Sequence, residues 1–194
     1  DNHKRISAKQ NGSDVNALVP NSGFEKLCYL SSESQVKNIS LIFPVKGDST
    51  AYAHFTDYIT KGTGADYLII SQTSLMNDTL YEYKNYRSSL EGGSHKVLVA
   101  DVEQLYDQFA YGISKHSLSV KNFVSFLLDK WTSLPQYLYL VGKSVSAHSM
   151  RKSTGNYALN LVPTYGFPPS DNLLTIGLNG SKLSPALYTG RLSA

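Results

Sequence analysis

From Asp1 to Ser22 (DNHKRISAKQNGSDVNALVPNS) apolar residues are sparse and follow no period, which predicts a loose arm or a strand borrowed from something upstream. Two short apolar runs follow, Leu27–Leu30 (LCYL) and Ile39–Val45 (ISLIFPV), separated by a polar link containing Ser31, Ser32, Glu33 and Ser34. They read as two strands able to pair antiparallel in a small appendage. The next run, Ala51–Ile59, admits two readings. Its alternation allows a strand, while Tyr52, Phe55 and Ile59 also fit one face of a helix. Lys61-Gly62-Thr63-Gly64 then breaks the pattern. The pattern therefore divides the chain into an N-terminal arm with a β appendage over residues 1–60 and an α/β unit over residues 61–194.

Within that unit the period changes in a repeating order. Asp66–Ser71 is an apolar strand whose continuous Leu-Ile-Ile run suits burial on both faces. Leu80, Tyr83, Tyr86 and Leu90, three or four apart, predict an amphipathic helix that Asn77 or Asp78 caps and Gly92-Gly93 ends. Lys96–Ala100 is a second strand, and Asp101 caps a short helix carrying Val102, Leu105, Tyr106 and Phe109. Val120, Phe123, Val124, Leu127 and Trp131 mark a longer helix beginning near Ser117, and Gln136–Val141 is the third strand, stopped by Gly142. Helical crossovers between three strands imply a parallel sheet with right-handed connections. The expected fold class is α/β, a three-layer, mainly parallel sheet with flanking helices. Beyond Gly142 the stretch KSVSAHSMRKSTGNYALN reads as loop, Leu161–Pro163 as a short strand, and Leu173–Leu178 and Ala186–Thr189 as edge strands or a small excursion. The ending Gly190-Arg191-Leu192-Ser193-Ala194, with no tail or closing helix, is what a segment of a larger protein looks like.

Composition narrows the functional classes. The chain of 194 residues has a formal charge of +3, with basic clusters only at His3-Lys4-Arg5 and Arg151-Lys152, far short of the stripe a nucleic-acid partner needs. One cysteine, Cys28, makes no intrachain disulfide, and five scattered histidines supply no metal-binding spacing, so no metal or other cofactor is expected. No run approaches 18 apolar residues, so no transmembrane segment is expected. Fourteen tyrosines point to half-buried strands and helices with hydroxyls at the boundary.

In an open parallel sheet ligands meet the carboxyl ends of the strands, here Ser71, Asp101 and Gly142–Ser144. Asp101 is a candidate general base, but a carboxylate directly before a helix is explained by capping. Gly142-Lys143-Ser144 lacks the glycine-rich loop that cradles phosphate, and glycines 62, 64, 92 and 93 form no dinucleotide fingerprint. Cys28, in an apolar run, reads as a small buried hydrophobe rather than a nucleophile. His54, His95, His116 and His148 are isolated and read as surface or loop residues, and no G-x-S-x-G elbow occurs.

Several segments together carry a resemblance: GADYLIIS (Gly64–Ser71), His95–Trp131, LPQYLYLVG (Leu134–Gly142), and VPTYGFPPSDNL followed by TGRLSA. In order and spacing they resemble the first half of the catalytic domain of the gingipain-like cysteine peptidases, peptidase family C25, which include the PorU-type sortase of the type IX secretion system. The resemblance implies a caspase-like fold in two side-by-side α/β subdomains, with the catalytic histidine and cysteine in the second. It implies that residues 61–194 are the first subdomain, lacking the dyad, so that no catalytic residue is carried over. Asp171, in Ser170-Asp171-Asn172, matches the family's S-D motif, whose aspartate in arginine-specific members meets the substrate's basic side chain. The implied activity is that of a fragment of a cysteine endopeptidase, inactive alone. Its implied partners are a second peptidase-like subdomain of the same parent and a peptide or protein substrate, in an extracytoplasmic, secreted or outer-membrane setting. The rival is a noncatalytic, peptidase-like structural or interaction domain. Two departures weigh for it: Gly142-Lys143 stands where many relatives have G-D, and Asn172-Leu173-Leu174 where many have an acidic residue and aromatics.

Overall fold

The computed structural model describes residues 6–20, 23–32, 34, 55–180 and 182–193. The chain divides into two compact units, Asp1–Ile42 and Phe43–Ala194.

The N-terminal unit contains an antiparallel hairpin of β1 (Ala8–Asn11) and β2 (Asp14–Ala17), paired from Ala8 with Ala17 to Asn11 with Asp14. A small antiparallel appendage is therefore present, but not where the apolar runs placed it. Leu27–Leu30 forms no strand and its leucines and tyrosine are more than 70% exposed, while Ile39–Val45 lies outside the described residues. Four apolar letters in a row supply no turn and no partner for their backbone groups. Gly12-Ser13 does supply a turn: Gly12, the first of its two residues, takes φ +63°, as the primed hairpin turn with glycine first requires. The arm, expected to be loose or to hold a strand borrowed from upstream, thus carries a hairpin of its own. Cys28 is exposed rather than buried.

The second unit is built on four parallel strands, β3 (Tyr67–Ser71), β4 (Val97–Asp101), β5 (Tyr137–Val141) and β6 (Tyr188–Leu192), in the order β4-β3-β5-β6. The three strands legible as apolar runs lie in parallel register, Tyr67 beside both Val97 and Tyr137. β3 is central and buried at all five positions. The fourth strand, expected as an edge strand or a small excursion over Ala186–Thr189, begins at Tyr188, runs three residues beyond Thr189 and pairs parallel to β5 along the open edge.

Side-chain alternation puts two different layers on the two faces. Helix α1 (Asp78–Ser88) brings Leu80 and Tyr83 against Tyr67, Ile69 and Val141. Helices α2 (Val102–Phe109) and α3 (Leu118–Lys130) cover Leu68, Ile70, Leu98, Ala100, Leu138 and Leu140 with Leu105, Phe123, Val124 and Leu127. The chain moves from β3 outward to β4, then back across β3 to β5, and two crossovers of one hand in opposite directions must leave their helices on opposite faces. The result is the expected three-layer α/β unit. Tyr58, 2% exposed, packs into the α2–α3 layer with its ring 4.8 Å from Phe123, and its carbonyl accepts a 2.8 Å hydrogen bond from Trp131 Nε1.

Beyond β5 the sequence reading needs three corrections. The segment read as loop holds α4 (Ala147–Met150) and α5 (Thr154–Leu159), capped by Ser146 and Ser153. Both are too short to show an apolar period. Leu161–Pro163 is not a strand: Leu161 and Val162 both donate backbone N–H to the Lys143 carbonyl instead. Leu173–Leu178 is not a strand either, because Asp171–Leu174 forms a 3₁₀ turn. Val162 and Leu174 are fully buried, so the apolar letters mark core residues held in non-repetitive backbone.

Asp101 caps α2 as expected, accepting from Glu103 N at 3.0 Å through Oδ1 and from Thr73 Oγ1 at 2.7 Å through Oδ2. Asp101→Ala is expected to lower the unfolding free energy by about 1–2 kcal/mol in urea titration, with Asp101→Asn, which keeps a cap acceptor, losing less.

Candidate functional site

The carboxyl edge of the sheet is where the fold would place a ligand, and the switch in strand order falls between β3 and β5. There Ser71 is fully buried and donates its hydroxyl to the Val141 carbonyl at 2.9 Å, bridging the two strands. Asp101 is committed to its cap. Gly142 ends β5 with φ +139°, and an added Cβ would meet Val162, Leu161 and Leu75 at 3.1–3.3 Å. The Gly-Lys-Ser run therefore turns tightly over the sheet end, with Lys143 exposed, and builds no phosphate cradle.

One step toward the sheet edge lies a denser group. Arg191, on β6 in register with Leu140, reaches across the end of β5 with only 9% of its side chain exposed. Its Nε donates to Asp171 Oδ2 at 2.8 Å and its Nη2 to Asp171 Oδ1 at 2.7 Å, a planar two-point fork. Nη2 also donates to the Pro163 carbonyl at 3.3 Å, and Nη1 donates to the carbonyls of Gly142 at 2.7 Å and Val162 at 3.0 Å. Asp171, the residue the sequence singled out, thus holds the chain's own guanidinium with both oxygens. Burial pushes its carboxyl up, but the hydrogen bonds and positive charge of Arg191, with a hydrogen bond from Thr164, outweigh burial and hold it below the ordinary aspartate range. Arg191 is the residue that pattern reasoning passed over. The only signal for it was the GRLSA element, whose arginine stands in a strand otherwise exposed at alternate positions.

The described histidines of the second unit occupy three separate places. His95 Nδ1 lies 2.7 Å from Asp66 Oδ2 at the amino end of the sheet, between the rings of Tyr67 and Tyr137. Expected on the surface or in a loop, it lies in the loop before β4, 14% exposed and ordered by that pair. His116 Nδ1 accepts from Leu118 N at 3.1 Å at the start of α3, His148 is exposed on α4, and His54 lies outside the described residues. Among the described residues, no group of three histidine, cysteine or acidic side chains is placed to hold a metal ion, and no helix is long and apolar enough to cross a membrane.

A parallel sheet with helices on both faces, and a Ser-Asp turn clamped to a Gly-Arg strand, is the arrangement on which the sequence comparison then bears. The profile of peptidase family C25 matches residues 60–194. The chain belongs to peptidase family C25. No curated protein and no solved structure matches it significantly. The match takes in the whole parallel sheet of this C25 chain together with Asp171 and Arg191, and it leaves the single cysteine, Cys28, outside.

Proposed function

We propose that residues 61–194 are the first, nucleophile-free subdomain of a gingipain-like or sortase-like cysteine endopeptidase, whose histidine and thiol lie outside this chain. The observation that carries the proposal is that the C25 match contains no cysteine at all, while the one cysteine of the chain is exposed in the other unit. Thiol acyl transfer needs nucleophile, base and oxyanion donors in one geometry. At the sheet end of this chain, the side chains of Ser71, Asp101, Asp171 and Arg191 are all engaged in hydrogen bonds that hold the fold. In this proposal Asp171 belongs to the substrate-binding region, and the chain works beside a second peptidase-like subdomain of the same parent on a peptide or protein substrate. The setting we propose is extracytoplasmic, secreted or outer-membrane associated, as in gingipains and the PorU-type sortase of type IX secretion.

A second reading, a noncatalytic peptidase-like interaction domain, is favoured by Lys143 at the carboxyl end of β5 and by the occupied carboxylate of Asp171. The parent sequence separates the two. A strand-terminal histidine followed some tens of residues later by a strand-terminal cysteine supports the peptidase, and absence of both supports the interaction domain.

The isolated chain is expected to give no turnover of arginyl or lysyl fluorogenic peptides under reducing conditions, and Cys28→Ala is expected to behave identically. Turnover that is lost in Cys28→Ala, together with labelling of Cys28 by an active-site thiol reagent, would place the nucleophile inside this chain and end the proposal.

A further inference from the structure

We propose that the face of β5 and β6 on the α1 side of the sheet is a docking strip for one amphipathic helix, bearing a carboxylate, from the second subdomain of the same parent. The inference rests on the reading that such a subdomain works beside this one, and it specifies the surface and the kind of element by which the two meet.

The strand register displays the strip. On this face one row of neighbours runs from Tyr67 through Tyr137 to Tyr188, and another from Ser71 through Val141 to Leu192. In both rows the β3 residue is buried and the β6 residue is exposed, 76% at Tyr188 and 51% at Leu192. The opposite face of β6 is better covered, since Thr189 and Arg191 are only partly exposed. Among the described residues, cover on the α1 side therefore ends before the sheet does. A parallel sheet carries helices over both faces, and here one half of one face has none.

The dimensions fit one helix. Two strands at ordinary spacing make a strip about 10 Å wide, and five residues make it about 17 Å long, the footprint of some three helical turns. Along the inner border lies α1, whose Tyr83 ring is 5.3 Å from that of Tyr139, so a second helix would lie beside the first. Gly190, between the two exposed side chains of β6, leaves a notch over the Tyr139 ring where a ridge of that helix can seat.

The charge at the border selects the occupant. The Arg87 guanidinium stacks 4.7 Å from the centre of the Tyr67 ring, at the inner end of the tyrosine row. Its Nε is buried with no acceptor, and no carboxylate pairs with it among the described residues. No residue of β5 or β6 on this face is charged, so the answering acid must arrive with the helix. A second copy laid face to face would bring the same uncharged strip. A strand added to the edge of β6 would leave the tyrosine rings open.

Photo-crosslinking in the full-length parent reads the occupant directly. With p-benzoylphenylalanine in place of Tyr188 or Leu192, cross-links are expected within one polypeptide, to a segment outside residues 1–194. That segment should carry apolar residues at i, i+3, i+4 and i+7 with an aspartate or glutamate beside them. The same probe in place of Tyr111, 91% exposed in the turn after α2, should not reach it. Hydrogen exchange gives a second measurement, on the Tyr188 and Gly142 amides that bond the Gln136 and Leu192 carbonyls. Both are expected to exchange at least about tenfold more slowly in the parent than in the isolated chain. Arg87→Gln should speed them about tenfold in the parent and no more than about threefold in the isolated chain, where only the stacking on Tyr67 is lost. Cross-links to a second copy, to a separate protein or to a segment without that period would each overturn the inference. So would no cross-link at either position, equal protection in both forms, or an Arg87→Gln effect no larger in the parent. The position of the catalytic thiol is decided separately: a parent without the histidine and cysteine ends the peptidase reading and leaves these expectations unchanged.

Discussion

Arg191→Ala is expected to lower the unfolding free energy by about 3 kcal/mol, and the melting temperature by roughly 9 °C, in urea and thermal titrations at neutral pH. Removing the guanidinium strands a half-buried carboxylate and three carbonyls that have no other side-chain donor of that shape. The lower end of the range for a broken buried pair applies because Asp171 retains 24% exposure. Arg191→Lys should recover only part of the loss, since one ammonium reaches few of the five acceptors. The pH dependence has a fixed sign. In the native chain Asp171 is held below its ordinary value of 3.8 by Arg191, so the pair's contribution is fully present above that value and is lost as pH falls through the depressed one. In Arg191→Ala the carboxyl keeps the burial that pushes it up and loses the charge that pulled it down. Acid then relieves the variant, and the gap to wild type should narrow below about pH 4. A gap that stays constant down to pH 3 would mean that the loss comes from packing of the arginine stem and not from the ion pair.

Tyr58→Ala is expected to cost about 4 kcal/mol, the range for truncating a large aromatic in a packed core. Its ring meets Phe123 edge-on at 4.8 Å and Phe109 at 6.2 Å, and those rings are anchored on α3 and α2. Neighbouring bonds tie the same segment down: Thr56 Oγ1 donates to Gln104 at 2.7 Å, and Gln108 Nε2 donates to the Thr56 carbonyl at 3.0 Å. Tyr58→Phe should cost only about 1 kcal/mol, because the ring supplies the packing and only the hydroxyl's hydrogen bond with Thr56 is lost. A chain begun at Lys61 lacks the ring and these bonds as well and should lose at least as much as Tyr58→Ala. Equal stability of that shortened chain and the full one, measured by chemical denaturation, would show that the ring is not a core residue.

The contrast between those two sites shows what the sequence made legible. β3, β4 and β5 were readable because a strand covered on both faces must be an almost unbroken apolar run, and Leu68-Ile69-Ile70 is such a run. The caps at Asn77 and Asp101 were readable because a side-chain acceptor just before an apolar period has few other uses. β6 was only half readable. Thr189, Gly190 and Arg191 are polar or small, and their strand exists because β5 offers an open edge, which no local pattern records. The clamp was less legible still: Asp171 and Arg191 are brought together by pairing with a strand some fifty residues earlier. The family resemblance found Asp171 by its motif, but a motif names a residue and not what fills its hydrogen bonds. At the N-terminus the order of signals was inverted, because a glycine at the first loop position specified a hairpin while the more conspicuous apolar run Leu27–Leu30 formed no strand.

The way Arg191 is held also decides which peptide bonds the folded protein offers to arginine-reading proteases. Such a protease must draw the arginine side chain into its pocket and the flanking backbone into its cleft. At Arg191 both are already taken, the guanidinium by Asp171 and three carbonyls and the backbone by β5. Arg151, exposed at the end of a four-residue helix, has neither protection. In the native state the fold therefore conceals the Gly-Arg-Leu sequence of β6 and leaves Arg151 the more open of these two sites. Unfolding removes that difference, because Arg191 loses both protections at once.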